Sequence, residues 1–251
     1  MALMEILKAN KINTTSSMVL QAGNTGTAAY LFDRSISLGF TSVGYDSTTS
    51  AVIGFTFATP TVLSHILLQN HNLKQFRVYY NSVTANSLAN FTTNSESSTY
   101  LSFSSITVNS VDIQMDLAMT TGVDKSIGEM VLTERDLVFE RNPSIKDFSP
   151  TTTRTRVIHE MPDGGVTMYN IANKFKATLK WQFITNGFTT SLLSIYNSAL
   201  PIYYVPFPTS TGWSGEAYEV LWTNDFNFNY NDNSKSQGQG GTIEFRQTAN
   251  T

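Results

Sequence analysis

The chain has 251 residues, formal net charge −3 and no cysteine, which excludes disulfides, thiolate metal sites and a cysteine nucleophile. Hydrophobic residues make up 41% and charged residues only 14%, with Ser, Thr and Asn carrying the polarity, a balance that suits β surfaces and turns. Before residue 139 there are 7 basic and 10 acidic residues and after it 9 of each, so neither half has the basic footprint of a nucleic-acid binder.

The opening "MALMEILKANKINTTSSMVL" has no signal-peptide layout, because Glu5 and Lys8 break its apolar stretch. No run approaches the ~18 apolar residues of a membrane-spanning helix. Synthesis and residence in the cytosol, or exit by a route that reads no signal, are the expectation, without membrane insertion.

From residue 28 the punctuation is that of β structure. In "AVIGFTFATP" Ile53, Phe55 and Phe57 alternate with Val52, Gly54 and Thr56, and Pro60 is expected to end the strand. Further strands are expected over 62–69 and 75–81. "ITVNSVDIQMDLAM" alternates Val111, Ile113, Met115 and Leu117 with Asp112, Gln114 and Asp116, and "IGEMVLTERDLVF" is another β run. Such runs with almost no amphipathic helix predict an antiparallel sandwich.

Between two of these strands lies Gln69-Asn70-His71-Asn72. Asn tolerates turn conformations, so Asn70, His71 and Asn72 read first as a polar hairpin or loop tip between the two strands and second as a ligand-contacting tip. The other histidines, His65 and His159, stand at no ligand spacing to His71, and no metal is expected there.

Phe32-Asp33, the "IGFTF" strand, Val62 with Ile66 and Leu68, Phe76-x-Val78-x-Tyr80, and Ile127-Gly128-Glu129-Met130 together resemble the galactose-binding-like, or discoidin-like, jelly roll over roughly residues 20–136. The resemblance implies sugar or protein contacts through loops at one end of a sandwich. Many members bind calcium there; Asp33 and Asp46 alone supply too few oxygens for it. Asp33 reads as a structural loop carboxylate, with ligand contact as the alternative.

"ERNPSIKDFSPTTTRTR" (140–156) reads as a linker, giving domains at 1–139 and 140–251. In "KFKATLKWQFI" Phe175, Ala177, Leu179, Trp181 and Phe183 alternate with Lys174, Lys176, Thr178, Lys180 and Gln182, a strand with a wet lysine face. "TTSLLSIYNSAL" is the one good helix, capped by Thr189 or Thr190, with Leu192, Leu193, Tyr196 and Leu200 on its apolar stripe and Pro201 as its stop. "PIYYVPFP", "AYEVLWTNDFNFNY" and "GGTIEFRQT" complete a second β-rich sandwich. The Trp181 strand, the short Leu-rich helix, "VPFP" and "YEVLWTNDFNF" resemble modules of phage tail-tip and distal-tail proteins, most specifically over residues 179–228. That resemblance implies a ring-forming virion protein of a tail or baseplate, assembled in the host cytoplasm and contacting itself, neighbouring tail proteins or a cell-surface glycan.

Catalytic patterns are missing. Gly212-Trp213-Ser214-Gly215 has its second glycine one residue too early for a nucleophile elbow, and the glycines at 238–241 precede no Lys-Ser/Thr. No enzyme activity and no cofactor are expected. Trp213, between Gly and Ser in a loop, is the candidate exposed ring, read first as interface or core and second as a sugar contact. The function expected is therefore a structural tail protein, with a carbohydrate-binding module as the alternative.

Overall fold

A computed structural model describes residues 2–12, 18–20, 26–35, 38–42, 48–208, 217–231 and 238–248. In chain order the strands are β1 (Glu5–Leu7), β2 (Met18–Leu20), β3 (Phe40–Thr41), β4 (Ala51–His71), β5 (Leu73–Tyr80), β6 (Val83–Phe91), β7 (Thr99–Ala118) and β8 (Ser126–Thr133). They continue as β9 (Arg135–Val138), β10 (Phe148–Glu160), β11 (Val166–Ile184), β12 (Ile202–Val205), β13 (Tyr218–Trp222), β14 (Phe228–Tyr230) and β15 (Gln239–Gln247). Among the described residues there is one α-helix, α1 (Asn186–Ser198), between β11 and β12. The protein is all-β, as its sequence predicts.

The chain divides into two units. The first, which we call the inner unit, comprises Lys8–Arg135 and Phe207–Glu216; the terminal unit comprises Met1–Leu7, Asp136–Pro206 and Ala217–Thr251. The cut falls at 135/136 rather than 139/140, and the first residues go to the later unit, because β1 pairs with β12 (Glu5 opposite Val205).

The inner unit holds strands in the order β3-β8-β4-β7-β5-β6, with β2 on β4. Its long strands bend. β4 pairs Ala51–Thr56 with Ser110–Met115, loses register at Thr56/Thr61, and pairs His65–Leu68 with Thr99–Ser102 on one side and Met130–Thr133 on the other. Pro60 therefore marks a corner within one strand instead of ending it, since the break in the ladder leaves no hydrogen bond there for proline to forfeit. The two arms of β4 and of β7 form two layers over one core. Ile53, Phe55, Ile66, Leu68, Leu101, Val111, Ile113, Met115, Met130 and Leu132 meet in it, so the inward parity read for the two alternating strands holds up to Met115; Leu117, read on the same face, is only half-buried, and Ala118 is buried instead.

In the terminal unit the strands run β10-β11-β15-β13-β12-β1-β9, with β14 on β15. The face carrying Phe175, Ala177, Leu179 and Trp181 of β11, Tyr204, Val220 and Phe245 is covered by Phe188, Leu192 and Ile195 of α1. The helix starts earlier than expected: Thr185 is its cap, its hydroxyl accepting from Phe188 N at 3.2 Å, and the buried stripe is 188/192/195. Leu193 and Leu200 of the expected stripe are exposed. The stretch read as a linker is largely β10, paired to β11 from Phe148↔Leu179 to Glu160↔Val166.

Candidate functional site

The residues that drew attention in the sequence are held by the fold itself. Asn70 is exposed and takes a left-handed φ of 49°, which turns the chain out of β4. The chain does not make a hairpin there: β7 lies between β4 and β5, so residues 69–72 form a crossing rather than the tip between paired strands that was expected. His71 is buried. Its Nδ1 accepts from Leu73 N at 3.2 Å, which leaves Nε2–H to donate to Thr99 Oγ1 at 2.9 Å. Burial lowers its pKa from the usual 6.5 to about 4, so the ring is neutral at pH 7. The Asn72 amide donates to Asp124 O and accepts from Ser126 N, each at 2.8 Å. Asp33 is exposed, its Oδ1 accepting from Ser35 N at 2.9 Å in an Asx turn beside Arg34 at φ 67°. Trp213 and Asp46 lie outside the described residues. Among the described residues no three of His, Asp and Glu gather as a metal site.

A different constellation forms in the terminal unit. The β11–β15 ladder slips between Trp181 and Ile184, so Gln182 and Phe183 leave the regular register. Phe183, which the alternation places in the core, is 48% exposed as a result. Opposite, β15 carries Gly240 and Gly241. A Cβ at 240 would lie 3.2 Å from the carbonyls of Gln182 and Trp181, and one at 241 would collide with the Phe228 ring. The two glycines thus form a floor of backbone packed against the Gln182 and Trp181 carbonyls and the Phe228 ring, with no room for a side chain.

The far wall is Asn224–Asn231, with Asn at 224, 227, 229 and 231. Asn224 anchors it, donating to Thr242 O at 2.9 Å and accepting from Glu244 N at 2.6 Å. Asn231 donates to Gln182 O across the cleft. Between these anchors, exposed Asn229 donates to exposed Asn227 at 3.0 Å, and both line the cleft. The cleft is open to solvent and has a volume of about 650 Å³, lined by these asparagines, Lys180, Gln182, Phe183 and the glycine floor. A smaller cleft of about 230 Å³, lined in part by Arg141 and Asp147, shares Lys180–Phe183, so Phe183 borders both.

The lining of the larger cleft can engage hydroxyl groups. Side-chain amides both donate and accept, matching hydroxyls that do the same. An exposed ring beside them offers an apolar face. Among the described residues Lys180 is the one ionisable side chain of the cleft's lining. The sequence signal for this wall was the spaced asparagines of "NDFNFNYN"; the bulge that turns Phe183 outward had none.

No protein-family model matches the chain, and no curated protein matches it. Solved structures resemble parts of it. Chitosan-binding module 1 from a chitosanase/glucanase of Paenibacillus sp. IK-5, in a selenomethionine-labelled mutant form, aligns over 50% of this chain and 98% of its own, at 14% identity and TM-score 0.42. The module CpGH89CBM32-5 from Clostridium perfringens, in complex with GalNAc-β-1,3-galactose, aligns over 47% and 96%, at 13% identity and TM-score 0.36. The family 32 carbohydrate-binding module of Streptococcus pneumoniae EndoD aligns over 47% and 95%, at 13% identity and TM-score 0.37. None of these three is named as a tail protein.

Proposed function

We propose that the chain is a non-catalytic carbohydrate-binding protein whose ligand occupies the asparagine-lined cleft of the terminal unit. The observation that carries this reading is the pairing of an exposed Phe183 with exposed Asn227 and Asn229 over a glycine floor. A cleft of about 650 Å³ suits a short oligosaccharide, since ligand pockets run from roughly 300 to 1,000 Å³. Binding of the full chain to an array of neutral and acidic oligosaccharides tests it. Retention of neutral glycans, lost in Phe183→Ala and kept in Asp33→Ala and Asn70→Ala, is the expected result. An empty array, or glycan retention untouched by Phe183→Ala, overturns the reading.

A second reading has its own observation. The β10–β11 hairpin presents apolar side chains to solvent, as an assembly protein does. On that reading the chain is a structural protein of a phage tail or baseplate, located in the virion and packed against itself and other tail proteins. The two are compatible where a tail protein reads a cell-surface glycan.

A further inference from the structure

Among the described residues β10 forms one margin of the eight-stranded sheet and pairs only with β11. Its ladder slips between Thr155 and Arg156, and beyond that bulge Arg156–Glu160 opposite Val166–Asn170 make a two-stranded arm. No residue from Arg156 to Gly164 is buried. Apolar pairs nevertheless stand on both faces: Ile158 with Met168 on one, 60% and 55% exposed, and Val157 with Tyr169 on the other. A two-stranded ribbon exposed on both faces is marginal alone in water, and a long apolar edge strand is a template for further pairing.

The charges on the arm indicate what pairs with it. Along β10 the order is Arg154, Arg156, then Val157 and Ile158, then Glu160, with Asp163 in the turn. The strand is thus basic on its stem side, apolar in its middle and acidic towards its tip. Laid antiparallel on a copy of itself about Ile158, it sets Arg156 opposite Glu160 twice and Ile158 opposite Ile158. Residues 156, 158 and 160 share a face, because side chains alternate along a strand. The face already holding Met168, whose sulfur lies 3.7 Å from Arg156 Nη1, then gathers two Ile158 and two Met168 side chains between two ion pairs.

We infer that β10 pairs with β10 of a second copy of this chain, antiparallel about Ile158, to give a two-fold dimer joined by a four-stranded ribbon. A two-fold interface of this kind is self-complementary, as this charge order requires. It involves no residue of the asparagine-lined cleft and stands independently of glycan binding.

Sedimentation equilibrium of the full chain at low salt tests it, over protein concentrations up to about 1 mM to reach weak association. Wild type dimerises. R156E alone and E160R alone each place like charges opposite one another at both symmetric positions and weaken the dimer about tenfold. An equimolar mixture of the two variants restores it, because every facing pair is then opposite in sign, and the double variant R156E/E160R restores it too. Unchanged circular dichroism and melting of the single variants show that they fold. A monomer at every concentration overturns the proposal. So does self-association of R156E or E160R as strong as that of wild type, or a mixture no stronger than its parts.

Discussion

At the scale of single residues, a side chain's neighbours decide its role, and His71 shows it. Both ring nitrogens are committed inside the fold, to Leu73 N and Thr99 Oγ1, and burial lowers the pKa to about 4. The folded pKa lies below the unfolded one near 6.5, so between these values the unfolded chain binds more protons and stability rises with pH. The contribution is fully present above pH 6.5 and is lost as pH falls towards 4, on the order of 3 kcal/mol at the limit. Thermal melts from pH 7.5 to about 4 are expected to show this loss. His71→Gln is expected to be less stable at pH 7 and to have a flatter profile through that window. A wild-type melting temperature constant from pH 7 to 4.5 would contradict the assignment. Asn72→Ala is expected to cost about 1–3 kcal/mol, because the backbone N–H of Ser126 and the carbonyl of Asp124 lose their partner, as a chemical denaturation midpoint would show. The sequence drew attention to His71 because histidine is rare in this chain; that rarity says nothing of burial. Asn227 and Asn229 drew none, since asparagine in a polar loop is indistinguishable from turn chemistry until a floor and an aromatic ring are seen beside it.

At the scale of elements, periodicity was reliable where a strand stayed in register and failed where it slipped. β11 buries Phe175, Ala177, Leu179 and Trp181 as its alternation demands, and the same alternation misplaces Phe183 because the ladder shifts after Trp181. A bulge is fixed by what the facing strand carries, here glycines distant in sequence. Pro60 misled in the same way: it signals a break in hydrogen bonding, and a corner satisfies that as well as a strand end does. The helix was legible in kind but not in its start, because Gly187 argues against helix while Thr185 caps it one turn earlier. Thr185→Ala is expected to cost about 1 kcal/mol in chemical denaturation, as loss of an N-cap does. Gly241→Ala is expected to destabilise by about 1–3 kcal/mol, because the added methyl must displace Phe228 from β15. If Gly241→Ala melted like wild type, the tight floor of the cleft would be in error.

For the whole molecule, the sandwich was legible because its alternating runs are long, and the terminal unit was legible only in pieces. Three residues of β1 complete a sheet whose other strands begin beyond residue 134, a pairing that no local pattern announces. Among the described residues the core of the inner unit is drawn from residues 12–132, so a fragment spanning 8–135 is expected to fold cooperatively alone. A fragment spanning 140–251 loses β1, β9 and the core residues Met4, Ile6 and Phe139, and is expected not to fold. Urea unfolding of the two fragments followed by circular dichroism distinguishes these outcomes, and a cooperative transition in the later fragment would contradict the division.

The measurement that tests the central claim most directly is a calorimetric titration of the full chain with the neutral oligosaccharide it retains best, run in parallel on Phe183→Ala. The account predicts saturable binding by wild type and at least about tenfold weaker binding by the variant, with its melting temperature unchanged, because an exposed ring stabilises ligand and not fold. Equal affinity in the two proteins would place the glycan elsewhere and contradict the account.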